Sequence, residues 1–410
     1  MPPNRLDAVP SAPDSPVALQ SFYISAPGKI ILFGEHAVLY QKTAIAGALD
    51  LRIYISLEEI QERKIYLDLP ELGLVNEWSL KKLLADVQPH LDDMDAPALD
   101  ETIQLARKLS GDDNDDIAAV DLAIHVLWYL LIGAASRTSN IPGMRIKVRC
   151  ELPIRVGLGS SGAFCTGLTT AILCTSGLIP QPSVSVSDGR STWSEKHLNI
   201  IREWASVAES IIHGRASGLD VAMSTYGGIA KYKLQKHIEN LKCTQNLSVI
   251  LVNSKIERST FKMVKIVQEF CEKNTFAAGH MLDTIDSLSL EAAAKLTQGA
   301  SGDAKSISPD SINFLDSLCQ INDACLNSFG VGHSKLDAIR SVLARRGLHG
   351  KLTGAGGGGC VFAFLKPDLS TEDITLLKSE LNAIDCEVWL PSLGGPGVVL
   401  HDTAPGVFLN

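Results

Sequence analysis

Hydrophobic and polar positions alternate most cleanly just before a run of glycines. Met144, Ile146, Val148 and Cys150 take one side; Arg145, Lys147 and Arg149 take the other. That is the period of a half-buried strand. Beyond Gly157 to Gly162 the period changes, and Ala163, Gly167, Thr170 and Ile172 fall at helical spacing. Leu198, Ile201, Ala205, Ala208 and Ile212 form a second helical stripe, with Ser194 placed to cap it, Glu195 in its first turn and Gly214 just past its end. Apolar runs predict strands at Phe22 to Ser25, Ile30 to Phe33, Leu51 to Leu57, Lys64 to Leu69, Ile229 to Tyr232, Leu247 to Val252, Cys360 to Leu365 and Cys386 to Leu390. A helical region covers Leu80 to Ala135, helices dominate from Arg258 onward, and one more is expected near Glu372 to Leu381. Pro180 to Thr192 and Gly299 to Asp310 read as loops. Ile117 to Ala135 is nearly long enough to span a membrane, but Asp121 and His125 interrupt it, so a buried core helix is expected. Strands and helices mix without strict alternation, which indicates an α+β fold. The expected division is an extension at 1–20, one unit at 21–240 and a second at 241–410, with the crossing near 233–245.

Candidate chemistry concentrates at four segments. Gly157-Leu158-Gly159-Ser160-Ser161-Gly162 lies between a strand and a helix N-terminus, where free amides and the helix dipole favour an anion. Its glycines remove the Cβ atoms that would hold a phosphate away, and its serines add hydroxyls for a phosphate or a phosphate-bound Mg²⁺. Taken alone, such a segment is equally a tight turn with no ligand. It is not a dinucleotide fingerprint, because the region some 20 residues on, Ile179-Pro180-Gln181-Pro182-Ser183, is a loop without the required acid. No Walker-type P-loop, D-F-G or H-R-D occurs. In APGKIILFGEHAVLY, Lys29 and the pair Glu35-His36 flank a buried strand, and charges there are costly unless partnered. In KLTGAGGGGCVFAFL, Gly356 to Gly359 run straight into an apolar strand, which suits close approach of backbone to another group. In ESIIHGRASGLD, Glu209 and Asp220 stand before and after a small-residue loop, and phosphoryl transfer needs one carboxylate for a cation and another for the attacking hydroxyl.

These segments, in this order and rough spacing, with GVGHSKLD at Gly330 to Asp337, resemble the galactokinase, homoserine kinase, mevalonate kinase and phosphomevalonate kinase superfamily, and within it the mevalonate kinases. The resemblance covers Ser21 to Leu400. Gly34-Glu35-His36 is followed by Ala37-Val38-Leu39 rather than by an aspartate, which speaks against a sugar substrate. The resemblance implies two domains, ribosomal-protein-S5-domain-2-like and ferredoxin-like, with the active site in the cleft between them. It implies an ATP- and Mg²⁺-dependent kinase acting on the C5 hydroxyl of mevalonate in isoprenoid and sterol synthesis, in the cytoplasm and as a homodimer. Asp220 would be the catalytic base, with Lys29 beside it and also near the phosphates. Gly157, Leu158, Gly159, Ser160 and Ser161 would wrap ATP. Ser161 and Glu209 would hold Mg²⁺. Glu35, His36 and Thr260 would lie near the substrate, and Gly354, Ala355, Gly356 and Gly357 would form the glycine-rich loop. There are two departures. Arg155 stands where relatives have a glycine, and Glu71 stands where mevalonate kinases can carry an asparagine near the nucleotide; Glu71 is not counted as a ligand. Another small-alcohol kinase, such as phosphomevalonate kinase, stays open, although no extra basic residues surround Glu35 and His36. So does a non-catalytic ATP-binding sensor, although Lys29, Glu209 and Asp220 are all present.

Composition narrows the picture further. A net charge of −9 over 410 residues offers no basic face, so a nucleic-acid partner is not expected. Asp92 to Asp95 and Asp112 to Asp116 read as solvated loops around one helix. The nine cysteines lack any C-x-x-C spacing and sit mostly in apolar surroundings, which points to reduced thiols and not to zinc. The proline-rich first twenty residues lack the apolar core of a signal peptide and read as a disordered extension.

Overall fold

The computed structural model describes residues 20–111, 118–153, 156–186, 189–214, 217–234, 238–241, 243, 247–298 and 307–409. The expectations for residues 1–19, Asp112 to Asp116, Arg155 and 299–306 lie outside the described residues.

The two strands expected at Phe22 and Ile30 are one strand, Ser21–Phe33. Its register against the next strand, Ala44–Ile60, shifts between Pro27 and Lys29. Pro27 has no N–H for a ladder, so a bulge is the natural accommodation. Gly28 sits inside that bulge, where a Cβ would lie 2.4 Å from Leu152 Cδ2 and 2.7 Å from the Leu158 carbonyl oxygen. The bulge lets the Lys29 N–H bond the Leu158 carbonyl at 2.8 Å, which ties the first strand to the glycine loop. Ala44–Ile60 runs well past the expected 51–57 at its N-terminal end, because Ala44 to Leu49 are buried on both faces and show no alternation. It pairs antiparallel with Ser21–Phe33, with Gly143–Cys150 and with Ile229–Tyr232.

Gly143–Cys150 has one buried face, as its alternation requires. Lys64–Leu69 runs parallel to it and forms a hairpin with Leu74–Ser79, a strand the apolar pattern does not mark because only Leu74 in it is buried. The expected helical region is three helices, Leu80–Asp86, Leu99–Ser110 and Ala119–Ala135. The last is a core helix, and among the described residues no helix is long and apolar enough to cross a membrane. Ser160–Thr175 is buried from Gly162 to its end and packs on Ala119–Ala135 and Glu195–His213. Ser194 occupies the N-cap of Glu195–His213, but its hydroxyl bonds His197 Nδ1 at 3.0 Å rather than a backbone amide.

A second core forms around Leu247–Asn253, which lies between Cys360–Phe364 and Glu387–Trp389. Helices Thr260–Lys273, Thr275–Thr297, Pro309–Ser328, Ser334–Ala344 and Thr371–Ala383 accompany it. The chain then returns. Leu393 stands opposite both Leu247 and Leu49, and Val399–His401 pairs with Tyr23 to Ser25. The loop 180–192 contains a short hairpin, Val184–Ser185 with Arg190–Thr192, whose second strand pairs with Val399–His401. Cys150, Cys165, Cys174, Cys271, Cys319, Cys325, Cys360 and Cys386 are free thiols.

Candidate active site

A cavity of about 680 Å³ opens where the four chemistry-bearing segments meet. Its lining carries the polar Lys29, Glu35, His36, Asp220, Arg258 and Thr260 and the apolar Ile53, Leu69, Leu72, Val148, Phe164 and Ile212. Gly157, Gly159, Ser160 and Ser161 lie along its wall.

Gly157 and Gly159 adopt φ of +86° and +74°, where side chains are strained, and Gly159 caps the Ser160–Thr175 helix. Gly162 lets a second helix approach, since a Cβ there would be 2.9 Å from Asp220 Cβ. Asp220, in the first turn of Leu219–Tyr226, therefore sits against the glycine loop. Its Oδ1 lies 3.3 Å from Lys29 Nζ, and Lys29 Nζ also donates to the Gly157 carbonyl at 3.1 Å. The lysine side chain is 7% exposed and the aspartate 27%, so it is the carboxylate that opens onto the cavity.

Ser161 Oγ donates to Glu209 Oε1 at 3.3 Å and lies 2.9 Å from His213 Nε2. Glu209 and His213 are one turn apart on Glu195–His213. Burial, and then the neighbouring Asp220, push the Glu209 carboxyl up to about 8 against the pull of Lys29 and Ser161. Glu209 stands behind Ser161 rather than in the cavity lining.

Glu35 Oε1 pairs with Lys351 Nζ, and both side chains are fully buried. Burial depresses the His36 pKa and keeps the ring neutral, and Nε2–H donates to the Ala355 carbonyl at 2.8 Å. Thr260 opens its helix at the cavity rim. Gly354 and Ala355 line the cavity, whereas Gly356 and Gly357 pack against Val331 and Met263. The Leu158 side chain is buried, with its carbonyl occupied by the Lys29 N–H.

Three functional candidates escaped the sequence reading. Arg258 donates from Nη2 to the Val156 carbonyl at 3.1 Å, and its guanidinium fills the space beside Gly157, Gly354 and Gly359. It lies two residues before Thr260, which was the only visible signal. His213 and Lys351 enter through their partners just described. Glu71, not counted as a ligand from the sequence, lines the cavity. Its Oε1 accepts the Cys150 N–H at 2.8 Å, and its Oε2 is buried with no hydrogen bond.

Residues 121–228 match the family of the GHMP kinases N terminal domain, and residues 312–376 match the GHMP kinases C terminal family. The chain is 35% identical over 384 residues to mevalonate kinase of Bos taurus, covering 93% of this chain and 95% of that one. The chain belongs to the mevalonate kinase family. Its two-domain fold is that of the family. The structure of Methanococcus jannaschii mevalonate kinase superposes with a TM-score of 0.67 at 23% identity, over 92% of this chain and 99% of that one. L. major mevalonate kinase in complex with R-mevalonate superposes with a TM-score of 0.64 at 20% identity, over 91% and 96%. In this mevalonate kinase family member the N-terminal match contains Ser160, Ser161, Glu209 and Asp220, and the C-terminal match contains Lys351, Gly354 and Ala355; Lys29, Glu35 and His36 precede both.

Proposed function

We propose that this cleft transfers the γ-phosphoryl group of ATP to the C5 hydroxyl of mevalonate. The observation that carries the reading is the Lys29–Asp220 pair, set against a glycine loop at a helix N-terminus inside one cavity. Asp220 accepts the proton of the attacking hydroxyl. Lys29, 3.3 Å from Asp220 Oδ1, steadies the developing alkoxide. The backbone amides from Gly157 to Ser161 and the Arg258 guanidinium receive the phosphates, and the apolar lining takes the base. Glu35, His36 and Thr260 orient the alcohol.

The residues present fit Mg²⁺. A hard cation wants oxygen donors, which Ser161 Oγ and the Glu209 carboxyl are, and a cation there would relieve the repulsion from Asp220 that helps push Glu209 up to about 8. When bound, the ion neutralises phosphate charge. The same reading includes a domain division at 240/241, a homodimer and a cytoplasmic location. Light scattering of the full chain and microscopy of a tagged chain test the last two.

The deciding experiment follows ADP release with ATP and Mg²⁺ against mevalonate, phosphomevalonate, galactose and homoserine. Turnover with mevalonate alone supports the proposal. Turnover with another alcohol moves the substrate, and ATP binding without turnover sinks the reading.

A further inference from the structure

Three contacts join Ile31 and the Gly34-Glu35-His36 turn to the C-terminal segment Lys351 to Ala355. Thr353 Oγ1 donates to the Ile31 carbonyl at 2.9 Å and accepts the Ile31 N–H at 3.2 Å. His36 Nε2–H bonds the Ala355 carbonyl at 2.8 Å. Lys351 pairs with Glu35. The first two contacts are ordinary hydrogen bonds. The third buries two charges completely, which is costly and stabilises less than an apolar pair of the same volume would. A fold that needed only a joint here would do better with two apolar side chains.

The carboxylate is used unevenly. Oε1 meets Lys351, while Oε2 is buried without a hydrogen bond, on a residue that lines the cavity. We infer that Lys351 is a positioning residue, holding Glu35 as an anion with Oε1 spent so that Oε2 is free to accept a hydroxyl hydrogen of the substrate. This rests on the kinase reading above.

Among the described residues, Lys351 is the cation that acts on Glu35. Asp323, on the helix Pro309–Ser328, is the other acid near the pair, and its Oδ1 is taken by Arg340 Nη1 at 2.9 Å and the Leu352 N–H at 3.2 Å. Its Oδ2 is taken by Asn327 at 2.7 Å. Arg340 is thus committed to Asp323 and Asp337. Cys319 is buried on the same helix, with its thiol held neutral by burial. His36 is neutral, and Arg258 faces His36. Lys351 Nζ has the Leu352 carbonyl and the Phe362 ring as its other neighbours. Burial pushes the Glu35 carboxyl up, Lys351 pulls it down, and Asp323 adds a smaller upward push. Removing Lys351 takes away the main influence that lowers the Glu35 carboxyl and leaves only a backbone hydrogen bond against burial and Asp323, so its pKa moves up.

The test is a cycle of Lys351→Met, Glu35→Gln, the double variant and Lys351→Arg, read as kcat/KM against pH. Wild type is assayed first with the alcohol panel, so failure of the kinase reading shows there; the cycle then runs on whichever alcohol wild type phosphorylates. In Lys351→Met, kcat/KM for the alcohol should fall about 10–100-fold at neutral pH. Its ascending pH limb should move upward, KM for ATP should stay near wild type, and Lys351→Arg should recover most of the loss. In the Glu35→Gln background, Lys351→Met should add little further loss. Should Lys351→Met alone fail to fold, Lys351→Arg and the double variant carry the test, because the double buries no charge. An unmoved pH limb, equal rises in both KM values, or fully additive losses in the cycle would overturn the inference. So would a folded Lys351→Arg as impaired as Glu35→Gln.

Discussion

Two of the places where this molecule buries charge do so differently. At the chain's return, Arg52 is 3% exposed, and its guanidinium is met by a hydroxyl and carbonyls rather than by a carboxylate. Its Nε donates to Ser25 Oγ at 2.7 Å, Nη1 to the Pro396 carbonyl at 3.1 Å, and Nη2 to the carbonyls of Ser25 at 2.9 Å and Gly397 at 2.6 Å. Ser25 Oγ in turn meets His401 Nε2 at 2.8 Å. Each nitrogen of that guanidinium has a protein acceptor. In the cleft, Glu35 Oε2, Glu71 Oε2 and Arg258 Nη1 are buried with none. A saturated buried charge pins backbone; a half-saturated one is waiting for something else. The first belongs to the fold and the second to the ligands.

Substitutions separate the two regions. Asp220→Asn should cut turnover about 10²–10⁴-fold with the fold intact, checked by steady-state kinetics and a thermal melt. Near-normal turnover would take Asp220 out of the catalytic role. Arg52→Met should do the reverse. Several carbonyls lose their donor, costing about 3 kcal/mol in a urea titration, while kcat below the transition stays near wild type. A large loss of kcat without loss of stability would merge the two regions. Glu71→Ala should raise KM for ATP about tenfold or more and leave KM for the alcohol alone, since a donor on the base loses a charged acceptor. An unchanged KM would return Glu71 to a purely structural bond with Cys150.

The smallest effect is a pH dependence at the pinned end. Burial, then Arg52 and Arg190, lower the His401 pKa from 6.5 to about 4. Between those values the unfolded chain holds a proton that the folded chain does not, so this histidine's contribution to stability is lost as pH falls from 6.5 toward 4. His401→Gln should flatten that part of the stability profile, and an unchanged slope would assign it to other groups.

The glycine loop, its strand and its helix were legible because each depends on residues next to one another in sequence. Met144 to Cys150 alternate, Gly157 and Gly159 take positive φ, and the helix starts at Ser160. Glu209 stood in a helix, Glu195 to His213, whose end at Gly214 also follows from local sequence. Other features were not legible. The fusion of two strands into Ser21–Phe33 depends on Leu152 and Leu158 filling the space beside Gly28. The length of Ala44–Ile60 depends on what covers both its faces.

By itself, then, the order of residues determined the phosphate loop, the glycine segment and the types of charged groups available, because turn geometry, helix capping and hydrophobic period act over a few neighbours. Only the tertiary structure decided which charges meet. Lys29 and Asp220 are 191 positions apart and Glu35 and Lys351 are 316. Arg258 reaches Val156 across 102 residues, and Arg52 holds carbonyls more than 340 residues away. Pairings at such separations follow from how whole strands and helices pack, and local pattern carries no record of them.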